Sequence, residues 1–171
     1  MATTFVKIAT ATATGSASTL EFTSIVGTYT DLIVKMSLRD AAASTRSIAK
    51  ITFNGSATSY SSRAIYGFDS SSTGSASGAS TYIDFNYAVG NTATASTFSN
   101  NEMYIPNYSG SNNKSVSIDF TAENNSSTSW IDGLVAGLWS NSAAITQITI
   151  TAGTGNFAQY STATLYGISK S

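Results

Sequence analysis

Apolar and polar residues alternate along most of this chain with the two-residue period of a half-buried β-strand. The clearest runs are residues 32–38, 116–120 and 148–150, in which every second side chain is Val, Ile, Leu, Met or Phe. Within each run, most of the residues between these apolar positions are polar. Each run is expected to place one face on a core and the other toward solvent or a neighbour, as antiparallel sheets do.

Further strands are predicted over shorter runs and over one ambiguous segment. Residues 130–139 contain apolar residues at helical spacing, but Gly133 and Gly137 would each cost roughly 1 kcal/mol in a helix interior. We therefore interpret this segment as a strand. The remaining strands are predicted at residues 5–8, 20–23, 48–53, 81–85, 102–105 and 162–168.

Turn-forming residues separate these runs. Asn54-Gly55 readily adopts the positive φ angles of a type I′ hairpin turn, and residues 153–156 are predicted to join the last two strands as a longer hairpin. Residues 69–80 and 93–101 are dominated by small and polar side chains and are predicted to be loops. Residues 10–19 are interpreted as an extended connection or a sheet edge.

The number of predicted strands indicates the fold class. The chain has 171 residues, which suits one domain, and 42% of them are hydrophobic, which is enough for a sizeable core. Many short strands with almost no helical periodicity are typical of a β-sandwich. We predict a single all-β domain over residues 1–171, an antiparallel β-sandwich with a jelly-roll-like topology.

The composition narrows the possible functions. The chain contains no His and no Cys, so it cannot assemble a Ser-His-Asp or Cys-His nucleophile by itself, and Cys/His zinc sites are excluded. No stretch approaches the roughly 18 apolar residues of a membrane span. With a net charge of -1, the basic residues are scattered; only Arg39, Arg46 and Lys50 lie close together, and we interpret them as a solvated turn and strand. No cofactor, metal, nucleic-acid or membrane partner is predicted.

The acidic residues could form two kinds of site. A carboxylate pair could hydrolyse a glycosidic bond, with the candidate acids being Asp84, Glu102, Asp119, Glu123 and Asp132. A calcium ion could bind residues 123–125 with Asp132 nearby, although the spacing does not match an EF-hand. Any small sandwich with nine acidic residues offers such pairs, so we predict no enzymatic activity and no catalytic or metal-binding residue.

Four aromatic residues near polar loops are candidates for stacking against sugar rings: Tyr104, Tyr108, Trp130 and Trp139. Pyranose rings stack on Trp and Tyr, and ligand pockets combine such aromatics with a few polar groups. Packing in the core is the commoner role of large aromatic side chains. Both interpretations stay open at this point.

Three blocks of sequence span most of the chain and carry a family resemblance. They run from Phe22-Thr23-Ser24-Ile25 to Ser37-Leu38-Arg39, from Phe53-Asn54-Gly55 to Tyr60-Ser61-Ser62, and from Gly137-Leu138-Trp139-Ser140-Asn141 to Leu165-Tyr166-Gly167-Ile168. These blocks resemble short structural proteins encoded among the virion genes of tailed bacteriophages, especially aquatic and cyanobacterial phages. The resemblance implies a component of the virion, such as a capsid decoration protein or part of a tail fibre, that assembles symmetrically with a trimer favoured.

The low charge content favours assembly as well. Charged residues make up 10% of the chain, against roughly 25% in ordinary soluble domains. Surface hidden between subunits would account for this deficit. The leading hypothesis is therefore a non-enzymatic virion protein, a capsid decoration or small appendage subunit bound to copies of itself and to other virion proteins. The alternative is a receptor-binding or carbohydrate-binding module of a tail fibre that contacts a host surface glycan.

Overall fold

The computed structural model describes residues 4–69, 71–77, 81–84, 86–125 and 129–169. Every regular element in these ranges is a β-strand. The strands are β1 (Phe5–Thr12), β2 (Thr19–Phe22), β3 (Asp31–Ser37), β4 (Arg46–Ile48), β5 (Lys50–Phe53), β6 (Tyr60–Phe68), β7 (Ser71–Ser77), β8 (Tyr87–Val89), β9 (Asn100–Ile105), β10 (Lys114–Ala122), β11 (Ile131–Trp139), β12 (Ile148–Thr151) and β13 (Thr162–Ile168).

The strands form an eight-stranded sheet in the order β1-β13-β3-β9-β10-β11-β6-β7, a three-stranded sheet in the order β2-β12-β5, and the small pair β4-β8. The pairing is nested along the chain. The first strand pairs with the last, β2 pairs with β12, β3 pairs with β9, and Ile51 of β5 forms a bridge with Ile83. The large sheet continues beyond these nested pairs through β10, β11, β6 and β7. The predicted all-β antiparallel sandwich is confirmed.

The core lies between the large and the three-stranded sheet. Strand alternation directs Val34 and Phe120 inward from the large sheet, and Phe53 and Ile150 inward from the small one, and all four are fully buried. They belong to one continuous hydrophobic cluster that reaches from β1 to β13. The opposite face of the large sheet is thereby left outward, and it is this face that carries the candidate site.

Segment 130–139 is a strand, as predicted. A Cβ atom at Gly133 would lie 2.5 Å from the carbonyl oxygen of Ile65, and one at Gly137 would lie 2.7 Å from Cγ2 of Val116. Real Cβ atoms do not approach other atoms so closely, so both glycines permit tight packing around β11. Glycine in a strand interior commonly marks such a close approach.

The loop predicted at residues 69–80 is wrong over Ser71–Ser77, which forms β7 against β6; residues 70 and 78–80 lie outside the described ranges. Strand β6 itself was not predicted. Its inward residues include Tyr60, Ser62 and Ala64, whereas Ile65 points outward. Because a polar residue lies inside and an apolar one outside, the alternation in the sequence is blurred.

The hairpin predicted at residues 153–156 is also wrong, because β12 belongs to the three-stranded sheet and β13 to the large one. Asn54 and Gly55 do adopt positive φ angles, 51° and 66°. They turn the chain from one sheet to the other, however, and do not form a two-stranded hairpin. The Asn54 side chain fixes this corner by binding the backbone of residues 144–147.

Smaller differences concern strand ends. The strand predicted at residues 48–53 is divided at Ala49 into β4 and β5. In segment 81–85, Ile83 forms only an isolated bridge, and residue 85 lies outside the described ranges. The predicted loop at residues 93–101 ends where β9 begins, at Asn100, and β1 extends to Thr12.

Candidate functional site

A groove of about 760 Å³ crosses the outward face of the large sheet over strands β9, β10, β11 and β6. Its walls include both apolar and charged side chains. The residues that matter for its chemistry are Arg63, Ile65, Glu102, Tyr104, Asp119 and Leu134. All of them point away from the core, so the groove is separate from the interior of the sandwich.

The strand register brings these residues together in two rows. One row runs across the sheet through Glu102, Asp119, Leu134 and Ile65, which are direct partners on neighbouring strands. The next row, two residues along each strand, runs through Tyr104, Ser117, Ala136 and Arg63. Because side chains alternate between faces, both rows project outward together.

One half of the groove is apolar. Ile65 and Leu134 face each other on adjacent strands, and their exposed fractions are 61% and 52%. Ala136 lies beside them in the groove wall. Cross-strand apolar pairs of this kind normally gain stability by burial, and here both side chains remain open to solvent.

The other half of the groove is polar. The Tyr104 hydroxyl donates a hydrogen bond of 2.9 Å to Oδ2 of Asp31 on the neighbouring strand, and this bond raises the pKa of Tyr104. The cross-strand partner of Tyr104 is Ile33, so reaching Asp31 makes the ring lie along the sheet surface. Ile33 is only 7% exposed although it points outward.

The charged residues of the polar half differ in their partners. Lys35 Nζ lies 2.7 Å from a Glu102 carboxylate oxygen, and this contact raises the pKa of the lysine. Arg63 donates one hydrogen bond to its neighbour's carbonyl, that of Ser62, and Asp119 stands beside Glu102 in the row.

Two of the four candidates for sugar stacking are buried, so core packing is the interpretation that applies to both. Tyr108 is 0% exposed, and its hydroxyl donates to the backbone carbonyl of Val26. Trp139 is 1% exposed and stacks on Tyr60 inside the core. Neither ring can reach a ligand on the surface.

The other two candidates are accessible, but they lie in different places. Tyr104 lines the groove, as described above. Trp130 is partly buried and packs near Gly67, where a Cβ atom would lie 3.5 Å from the indole ring. The structure therefore leaves Tyr104 as the one predicted aromatic that belongs to the groove.

The candidate acids do not converge as a group. Glu102 and Asp119 are direct partners on β9 and β10. Glu123 instead accepts a hydrogen bond from the backbone N–H of Asn125, and Asp132 lies beside Gly67 at the end of β6. Within the described ranges, no three Asp or Glu residues stand close enough together to hold a metal ion.

Sequence reasoning missed the apolar half of the groove, because Ile65 belongs to a strand that was not predicted. Comparison with protein-family models, with curated proteins and with solved structures gives no match for this chain. No helix long and apolar enough to cross a membrane occurs in the part of the chain that the structure describes.

Proposed function

We propose that this chain is a non-enzymatic structural protein of a bacteriophage particle, a capsid decoration or small appendage subunit that assembles symmetrically with copies of itself. The observation that carries this proposal is the exposed Ile65–Leu134 pair beside an edge strand without charge. The three resembling sequence blocks support the assignment to a virion. The proposal requires no catalytic group.

The edge strand β7 ends the large sheet and pairs only with β6 among the described strands. It consists entirely of Ser, Thr, Gly and Ala. Edge strands are usually protected from pairing with another chain by charged residues or Pro, and β7 has neither. Ile65 pairs directly with Ser75 of this strand, so the open edge and the apolar half of the groove are continuous.

A second copy of the chain is the occupant that fits both features. Its edge strand would satisfy the free backbone groups of β7, and its side chains would cover Ile65 and Leu134. The opposite edge of the sheet is β1, where Phe5 is 49% exposed. Contact between β7 of one copy and β1 of the next is head-to-tail, and three such contacts can close into a ring.

Replacing Ile65 with Lys tests this assembly. We expect the wild-type chain to form a closed oligomer and Ile65→Lys to shift it to monomer, because a charge would be buried in the interface without a partner. Analytical ultracentrifugation over a hundredfold range of concentration measures the shift. Val26→Lys is the matched control, since Val26 is 55% exposed outside the groove. A wild-type chain that stays monomeric at every concentration contradicts the proposal.

The position of the protein in intact particles tests the assignment to a virion. Cryo-electron microscopy of the particle is expected to show this fold at regular positions on the head. Density for the fold only at the tip of the tail would reject capsid decoration and favour the appendage role. Absence of the protein from purified particles would reject both.

Binding of host-surface carbohydrate is a second candidate function, favoured by the orientation of Tyr104. Its ring is held along the sheet by Asp31, and Asp119 in the next row can accept hydrogen bonds from sugar hydroxyls. We expect a glycan array to detect binding that Tyr104→Ala abolishes and Trp130→Ala preserves. An array without any binding, or equal loss in both variants, would contradict this candidate.

A further inference from the structure

A second cleft, of about 620 Å³, lies where β4, the start of β5, the end of β6 and β8 come together. Its lining residues are partly buried, except for the exposed Thr154. Six of them carry charged or aromatic side chains that could contact a ligand: Arg46, Lys50, Phe68, Asp69, Tyr82 and Tyr87. None of them belongs to the groove on the outward face of the large sheet.

Two cations of this cleft are held by aromatic rings. The guanidinium carbon of Arg46 lies 3.8 Å from the centre of the Phe68 ring, and Lys50 Nζ lies 5.2 Å from the centre of the Tyr82 ring. Such cation–π contacts fix the position of a charged group while leaving its N–H donors unused. Both side chains line the cleft. Both are therefore available to a ligand that carries negative charge.

The same cleft also contains an unused acceptor. Asp69 Oδ1 is buried and has no hydrogen-bond partner within the described part of the chain. A buried carboxylate oxygen without a donor is costly, so a ligand that supplies an O–H or N–H group gains affinity there. A compact anion such as sulfate has no such donor and would be repelled by this carboxylate. The cleft therefore favours a ligand that combines an anionic group with hydroxyl groups.

The walls of the cleft favour a ligand with an apolar surface. The Tyr87 ring packs against Phe120 with a centroid distance of 5.4 Å, which fixes its orientation. Burial raises the pKa of the Tyr87 hydroxyl, and the nearby Arg46 charge acts in the opposite direction, which places this ring next to the cation. The C–H face of a pyranose ring packs well on such surfaces.

We propose that this cleft binds a carboxylated sugar residue of a polysaccharide. Arg46 and Lys50 donate hydrogen bonds to the carboxylate, and a planar guanidinium can bind it through two parallel N–H···O bonds. A sugar hydroxyl donates to Asp69, and the ring contacts Tyr82 or Tyr87. This site is independent of the assembly surface at Ile65 and of the place of the chain in a virion.

The test uses the full chain and three probes: trigalacturonate, its neutral counterpart galactotriose, and inorganic sulfate. Isothermal titration calorimetry is expected to show binding of trigalacturonate, with the other two probes at least about tenfold weaker. Arg46→Gln is expected to weaken trigalacturonate binding about tenfold or more, because a charged hydrogen bond is lost. Lys7→Gln is the matched control, since Lys7 is an exposed cation on β1 that lines neither the cleft nor the groove.

Asp69→Asn separates a sugar site from a simple anion site. This change replaces one carboxylate oxygen with an NH2 donor, which weakens the acceptor for a hydroxyl, and it also removes a negative charge. A sugar site predicts weaker trigalacturonate binding together with stronger sulfate binding. The proposal is overturned if sulfate binds wild type as tightly as trigalacturonate, if Arg46→Gln binds like wild type while its thermal unfolding is unchanged, or if no probe binds at millimolar concentration.

Discussion

Replacing Arg39 with Met is expected to lower the free energy of unfolding by roughly 3 kcal/mol. Arg39 is only 8% exposed and is surrounded by backbone acceptors. Its Nη1 donates to the carbonyls of Thr94 and Thr97 at 2.8 and 3.0 Å, and its Nη2 donates to those of Asn91 and Ala93, both at 3.1 Å. Met fills similar space but leaves these carbonyls without their donor, and hydrogen bonds to charged groups are each worth more than neutral ones.

Two further substitutions make this expectation specific. Arg39→Lys keeps the charge, but an ammonium has three donors and lacks the planar arrangement of a guanidinium. We therefore expect its free energy of unfolding to lie between those of wild type and Arg39→Met. Arg63 is exposed, so Arg63→Met is expected to have a free energy of unfolding within about 0.5 kcal/mol of the wild-type value. Urea unfolding followed by tryptophan fluorescence measures all three. A cost for Arg39→Met as small as that for Arg63→Met would contradict a role in ordering residues 91–97.

The burial of Arg39 could not be predicted from the sequence. The sequence around Arg39 predicts a solvated turn and strand, yet the loop of residues 91–97 encloses its guanidinium. Lys114 is similar: it is 1% exposed, its ammonium donates to the carbonyls of Gly110 and Asn112, and burial lowers its pKa. The acceptors are backbone atoms, which every residue possesses. No side-chain pattern could therefore reveal either cage.

Strands with regular alternation could be predicted, and β10 is the clearest example, because Val116, Ile118 and Phe120 all face the core. Strand β11 could be predicted because two glycines disfavour a helix. Strand β7 could not, since Ser, Thr, Gly and Ala provide no apolar face to detect. Its pairing depends on β6, which positions backbone groups for it whatever the side chains are.

The candidate site depends on register, which the sequence does not display. Ile65 and Leu134 are distant in the chain and meet only because β6 pairs with β11 at that offset. The aromatic residues show a related limit. Tyr104 occupies an outward position between Met103 and Ile105, whereas Tyr108 follows the strand and returns to the core. The alternation within β9 indicates that Tyr104 points outward. Nothing in the sequence near Tyr108 indicates that it is buried.

Replacing Trp139 with Ala is expected to lower the free energy of unfolding by roughly 3–5 kcal/mol, an effect as large as that of Arg39→Met. Trp139 is 1% exposed, and its ring centre lies 5.8 Å from that of Phe53 and 6.1 Å from that of Tyr60. Phe53 belongs to the three-stranded sheet, whereas the other two belong to the large sheet, so this cluster joins the layers. Tyr160→Ala, at a ring that is 70% exposed, is the control and should change stability by less than about 0.5 kcal/mol.

Trp139→Phe separates packing from hydrogen bonding. The indole Nε1 is buried and has no acceptor among the described residues, and an unpaired buried donor costs about 1–3 kcal/mol. Phe keeps most of the ring contact with Phe53 and Tyr60 and removes that donor. Removing the unpaired N–H offsets the cost of the small cavity. We therefore expect the free energy of unfolding to fall by about 1 kcal/mol or less, measured by the same urea unfolding. A loss as large as that of Trp139→Ala would mean that the indole N–H is paired in solution and that the cluster depends on this bond.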